Sequence, residues 1–259
     1  MSDVLLEVSG GIAHLTLNRP EASNGISLSL AGDLLDRALE LRSRSDVRVV
    51  VLTGAGPRFC AGGDVRSFAD ADDTTRLLRE VTVRLHGALT VLAGLDAPVI
   101  AAVQGSAAGA GMGLVASSDL VLAGESAKFV MAYTGIGLTP DGSTTWFLPR
   151  IIGMRRAVEL SLTNRVLTAA EALDIGLITK VVADEALAAE TEALAMTLAA
   201  GPTGAYGAVK RLFAASLSST FESQMTRESD AIAAAGSTAD GKEGIASFVE
   251  KRRPTFTGR

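Results

Sequence analysis

The segment Val47–Thr53 reads VRVVVLT, an almost unbroken run of β-branched and apolar residues. A strand with one wet face alternates; this one is expected to be covered on both faces, as strands of a parallel sheet are. Pro98–Val103 and Leu120–Ala123 are built the same way. Between the strands lie stretches with helical spacing. Leu28–Arg42 aligns Leu30, Leu34, Ala38 and Leu41, and Thr74–Leu95 aligns Leu77, Val81, Leu85, Ala88 and Leu92. Strands alternating with helices need crossover connections, so the first half is predicted to be α/β with a mainly parallel sheet. Leu5–Val8 and Ile12–Leu17 flank Gly10-Gly11, a hairpin signal.

The pattern changes after about Gly142. Helices are predicted at Met154–Thr163 and Ala169–Ile175, the second opened by the capping box Thr168-x-x-Glu171 and closed by Gly176. Ile178–Val182 is one short strand. Beyond Asp184 nearly everything suits a helix, with breaks at Gly201-Pro202 and Gly236. The expected division is an α/β core over 1–185 and a helical region over 186–259, which can pack on its own core or on a partner subunit. No internal repeat is visible.

Composition removes several function classes. The chain has 259 residues, 47% of them hydrophobic, enough to bury a sizeable core. With a net charge of −5 and 4% aromatic residues it is a poor candidate for binding nucleic acid. One cysteine, Cys60, and two histidines exclude an internal disulfide and a cysteine/histidine zinc site, so no metal is expected. Apolar runs are only a few residues long, so no membrane span is expected. The start, MSDVLLEVSGG, lacks a basic leader and an apolar signal core, and a cytoplasmic location is the expectation.

Two segments share one design, a buried strand followed by glycine and small residues and then a helix. They are Leu52-Thr-Gly-Ala-Gly-Pro-Arg-Phe-Cys-Ala-Gly-Gly-Asp64 and Val103-Gln-Gly-Ser-Ala-Ala-Gly-Ala-Gly-Met-Gly113. Small residues let backbone N–H groups approach a ligand, and a helix start adds partial positive charge. A glycine after a strand is most often a turn or packing residue, so one such loop is a weak sign. Two in one core point to paired donors of the kind that hold an oxyanion. Gly109-Ala-Gly111-Met-Gly113 lacks the last glycine of a dinucleotide fingerprint, because residue 114 is leucine. A phosphate loop and a serine-hydrolase elbow are both absent. In Pro140-Asp141-Gly142 the aspartate reads as a turn or helix-cap residue, or as a general base displayed from a glycine-flanked loop, with Ser143 available to cap the next helix. His86 lies off the main stripe of its helix and reads as a flank residue or a second base.

Several motifs together resemble the crotonase superfamily of enoyl-CoA hydratases and isomerases over almost the full length. They are Leu17-Asn-Arg-Pro20, Phe59-Cys-Ala-Gly-Gly-Asp64, Pro98-Val-Ile-Ala-Ala-Val-Gln-Gly105, Ala108-Gly-Ala-Gly111, Ser126-Ala-Lys-Phe129 and Phe248-Val-Glu-Lys-Arg-Arg-Pro-Thr-Phe256. The resemblance implies a spiral of β-β-α repeats with a helical C-terminal region that forms trimers or paired trimers. It implies an acyl-CoA thioester substrate, coenzyme A being part of that substrate and not a separate cofactor. The oxyanion amides would be those of Gly63 and Ala110. Ala61 and Val65 would lie against the coenzyme, and Arg19 and Lys251 would meet its phosphates. Tyr133, Met112, Phe68 and Trp146 are expected in the pocket walls.

The departures narrow the activity. Hydratases of this family use two glutamates, and their positions are Gly113 and Tyr133 here. Asp141 falls where a subset of isomerases carries its working aspartate, and Ser126–Asp141 resembles the isomerases of phenylacetate-type catabolism. The expectation is therefore an enoyl-CoA isomerase moving a proton with Asp141. The alternatives are a hydratase, by overall family similarity, and a 4-chlorobenzoyl-CoA-type dehalogenase in which Asp141 attacks and His86 activates water.

Overall fold

The computed structural model describes residues 2–258. Strands β1 (Val4–Ser9) and β2 (Ile12–Leu17) form the expected hairpin, with Gly10 and Gly11 both at positive φ, 59° and 83°. Two successive left-handed residues give the turn whose twist matches the flanking strands. Helix α1 (Leu28–Ser43) starts where the Ser27 hydroxyl accepts the Leu30 N–H, and it buries Leu30, Ala31, Leu34, Ala38 and Leu41. Next come β3 (Val49–Gly54), the short α2 (Val65–Ala69) and α3 (Thr74–Ala93).

From here the chain repeats a two-strand-then-helix step. β4 (Val99–Val103) and β5 (Ser106–Ala108) lead into α4 (Ala110–Ser117). β6 (Leu120–Gly124) and β7 (Lys128–Val130) lead into α5 (Thr144–Ile152). The first strand of each pair joins a six-stranded sheet ordered β1-β2-β3-β4-β6, with β9 (Lys180–Val182) at its edge. The second joins a three-stranded sheet ordered β5-β7-β8, in which β8 is Leu167–Thr168. An isolated bridge between Cys60 and Ala107 extends the same arrangement to the segment after β3. Apart from the β1/β2 pair, the large sheet is parallel. This is the crotonase-like spiral. The repeat escapes sequence comparison because its second strands are only three residues long.

Helices α6 (Met154–Thr163) and α7 (Ala169–Asp174) follow, the latter with both hydrogen bonds of the Thr168/Glu171 capping box. Helix α8 (Leu187–Ala199) lies across the large sheet, where Leu187 and Ala195 pack with Ile12, Val49, Val51, Ile100 and Leu122. Val50 and Leu52 point into the other core, so β3 is buried on both faces as its composition requires. The part of the helical region that stands off the core begins after α8, which packs on the sheet. It comprises α9 (Thr203–Ser216), α10 (Phe221–Ser237) and α11 (Ala239–Glu250). Its attachment is largely polar: Lys210 pairs with Asp119 at 2.7 Å, Arg211 pairs with Asp96, and Arg48 donates to Thr203 at 2.6 Å. Among the described residues no helix is long and apolar enough to cross a membrane.

Candidate active site

Asn24 organises the first loop. It is fully buried in a left-handed conformation, and its amide nitrogen donates to the carbonyls of Ala55, Arg58 and Phe59 at 2.9, 2.7 and 3.1 Å. Its oxygen accepts the Arg19 N–H. On either side of Gly63 the chain is pinned to Ile26, which donates to the Gly62 carbonyl and accepts from the Asp64 N–H. A Cβ on Gly63 would lie 2.8 Å from the edge of the Phe68 ring, so a larger residue there would have to push that ring aside. The second loop turns through Gly109, φ 49°, into α4, whose first residue is Ala110. The N–H at that position has no partner inside its own helix. Among the described residues, neither the Gly63 nor the Ala110 amide donates to any acceptor. Both residues line one cavity of about 250 Å³. Two free amides at one cavity can hold the oxygen of a polarised carbonyl.

Asp141 lines the same cavity. The Tyr133 hydroxyl donates to its Oδ1 at 2.6 Å. Its main-chain carbonyl, not its carboxylate, receives the Thr144 N–H and hydroxyl at the start of α5. Asp141 is thus no side-chain cap. Nor is Ser143, whose hydroxyl donates to the adjacent Gly142 carbonyl. Burial and the facing carboxylate push the Tyr133 phenol well above its ordinary range, so it remains a donor. The His86 Nε2 accepts the Gly142 N–H at 3.1 Å and lies 3.9 Å from Asp141 Oδ2.

Gly113 explains why no second carboxylate stands here. A Cβ built on it collides with the Gly142 carbonyl oxygen, so the Asp141 loop occupies the space a side chain would need. The remaining wall is mostly apolar, with Ile26, Phe68, Leu78, Val81, Leu85 and Leu138 beside the two threonines Thr82 and Thr139. Cys60 sits in the adjacent core, fully buried, and burial pushes its thiol up to about 12.

The structure brings Gly63, Ala110, Asp141, Ala61 and Val65 to one cavity, with His86 beside Asp141 but not among the lining residues. Arg19 and Lys251 are not brought there. The Arg19 guanidinium is occupied by Asp64 at 3.0 Å and by the Gly25 carbonyl, and Lys251 is the left-handed C-cap of α11. Of the expected wall residues Tyr133 and Phe68 line the cavity. Met112 is in the core, and Trp146 stacks edge-on against Phe147 with Arg150 over its ring. Asn24 escaped the sequence reading because Ser23-Asn24-Gly25 looks like an ordinary turn. Among the described residues no three His, Cys, Asp or Glu side chains gather to hold a metal ion.

Comparison with known proteins matches this geometry. Residues 7–259 match the family model for enoyl-CoA hydratase/isomerase. A Rhodobacter capsulatus protein named "Probable enoyl-CoA hydratase" is 41% identical over 98% of this chain and 97% of its own. The 1,2-epoxyphenylacetyl-CoA isomerase of Escherichia coli is 39% identical over 100% of both chains. The crystal structure of an enoyl-CoA hydratase from Polaromonas superposes with a TM-score of 0.92 at 32% identity, covering 98% of this chain and 99% of that one. With two free amides and a carboxylate around one cavity of the spiral fold, the chain belongs to the enoyl-CoA hydratase/isomerase family of the crotonase superfamily.

Proposed function

We propose that this protein is an enoyl-CoA isomerase in which Asp141 moves the proton. The observation that carries this reading is the single carboxylate at the cavity, with the space at Gly113 closed by the Gly142 carbonyl. In a 3-enoyl thioester the Asp141 carboxylate removes a proton from the carbon next to the carbonyl. The electron pair flows into the thioester, whose oxygen takes the negative charge between the Gly63 and Ala110 amides. Asp141 then returns the proton two carbons further along, giving the conjugated 2-enoyl product with no atom gained or lost. Ala61 and Val65 place the coenzyme at the cavity mouth. Support also comes from the similarity to the epoxyphenylacetyl-CoA isomerase.

Hydration needs a group that activates water and another that delivers a proton, and both glutamate positions are empty of carboxylate. Dehalogenation needs His86 to accept a proton from water, but its Nε2 lone pair is engaged by Gly142. The test is mass-resolved chromatography of 2-enoyl-, 3-enoyl- and 4-chlorobenzoyl-CoA after incubation. A changed retention at constant mass supports isomerisation; gain of a water or exchange of chloride for hydroxyl overturns it. Asp141→Asn is expected to lower the isomerase rate by about 10²–10⁴-fold while leaving thioester binding in place. Unchanged turnover in that variant sinks the role of Asp141.

The same reading includes self-association. Phe213, Phe221, Ile232 and Phe248 are 74%, 75%, 75% and 86% exposed on the three helices that stand off the core. Apolar exposure on this scale marks a surface that is covered by a partner. A second copy of this chain, in a trimer or pair of trimers, is the partner the family resemblance implies.

A further inference from the structure

We infer that Tyr133 is a positioning residue that turns Asp141 into a one-oxygen base held beside the second oxyanion loop. The inference rests on the isomerase reading and extends it to a residue that is neither amide nor base. Three separate observations converge on this side chain.

The first is the hydrogen bond. Tyr133 donates to Oδ1 of Asp141 at 2.6 Å, within the range of a short bond to an ionised acceptor. With Oδ1 engaged, Oδ2 is the oxygen left to accept a proton; its neighbour at 3.9 Å, the His86 Nε2, is itself engaged by the Gly142 N–H. A carboxylate free to rotate presents either oxygen in many directions; this one cannot turn without breaking the bond.

The second is the backbone that aims the ring. The Tyr133 N–H donates to the carbonyl of Met131, two residues back, at 2.8 Å. The residue between them, Ala132, has φ 60°. This is a γ-turn of the rarer, left-handed kind, which is strained for a residue with a side chain. Ala132 lines the cavity too. The chain tolerates a conformation better suited to glycine where it swings Tyr133 towards Asp141.

The third is where the ring lies. Tyr133 lines the same cavity as Gly109 and Ala110, and a Cβ added to Gly109 would come within 3.9 Å of its Cζ. The ring therefore lies beside the second oxyanion loop while its hydroxyl holds the base. The His86 Nε2 accepts the N–H of Gly142, the next residue, so the backbone that carries the base is held as well as its carboxylate.

The test is Tyr133→Phe, which keeps the ring and removes only the donor. The kcat for a 3-enoyl-CoA is expected to fall about 10- to 100-fold, the range for one hydrogen bond to a charged group, with KM changing less than about threefold. A spectroscopic readout separates positioning from general damage. The chain has two tyrosines. Fluorotyrosine incorporated into a Tyr206→Phe background labels Tyr133 alone, and its fluorine resonance is expected to move on Asp141→Asn. Wild-type kcat in Tyr133→Phe, or a resonance indifferent to Asp141→Asn, overturns the inference and leaves the isomerase reading intact. Full activity in Asp141→Asn overturns the isomerase reading itself, a distinct result.

Discussion

Single residues at this site are constrained by what their neighbours already occupy. Gly113 is the sharpest case. The family resemblance implies a glutamate at that position in hydratases, which invites the idea of restoring it. The structure argues otherwise, because the first side-chain atom would strike the Gly142 carbonyl and force out the loop that carries Asp141. Gly113→Glu is therefore expected to abolish isomerase activity without creating hydratase activity. Overpacking of this kind also destabilises, by roughly 1–3 kcal/mol. Mass-resolved product analysis together with a urea unfolding curve checks both parts; a gain of hydrated product is the outcome that contradicts the argument. His86 shows the reverse situation. Its place in a helix is readable from spacing, but its role is not. Only the bond from the Gly142 amide reveals that the imidazole accepts from the backbone beside the base.

Among the elements, the loop after β3 depends on a residue from the preceding turn. Asn24 shares its amide among three carbonyls of that loop, and its own backbone must be left-handed to do so. A buried donor set of this kind is costly to remove, because carbonyls turned inward lose their partners. Asn24→Ala is expected to destabilise the protein by about 1–3 kcal/mol. It should also lower kcat beyond that loss, since the Gly63 amide sits at the end of the loosened segment. A thermal melt paired with steady-state kinetics at a temperature where the variant is fully folded measures the two effects separately. Unchanged kcat in folded variant would show that Ile26 alone holds Gly63. The tail of α11 uses a comparable device. Buried Asp240 accepts the Thr257 and Gly258 N–H groups at 2.6 and 2.7 Å, folding the chain end back on its helix.

The whole molecule is two regions held by different forces. The spiral core is closed by apolar packing on both faces of the large sheet, whereas α9 to α11 are tied on by charged side chains and leave large apolar residues outward. An open cleft of about 1010 Å³ lies among these helices, lined in part by Leu212, Ile232, Ile245 and Phe256, and none of the site residues reaches it. Such a surface is expected to be buried between copies. Light scattering should return a mass of three or six chains, and Phe213→Glu combined with Phe248→Glu should shift it towards one. A wild-type monomer at micromolar concentration is the result that removes this prediction.

Local chemistry settled most of the secondary structure in advance. The strand VRVVVLT, the Gly10-Gly11 turn, the helix at Met154–Thr163 and the Thr168/Glu171 capping box depend on neighbours a few residues away, so their signals lie in short windows of sequence. The two glycine loops and Asp141 were visible as candidates for the same reason. Their meeting in one site was expected from the paired design and the family resemblance; local spacing could not show it, because β3, β4 and the Asp141 loop are brought together by parallel pairing and crossover helices. Nor could spacing show that α8 closes the second face of the sheet, that Arg19 is claimed by Asp64, or that Tyr133 and Asn24 matter. Those are contacts between side chains distant in sequence or aimed by a strained turn. Only the packed tertiary structure decides them, since each depends on which groups burial leaves without water as a partner.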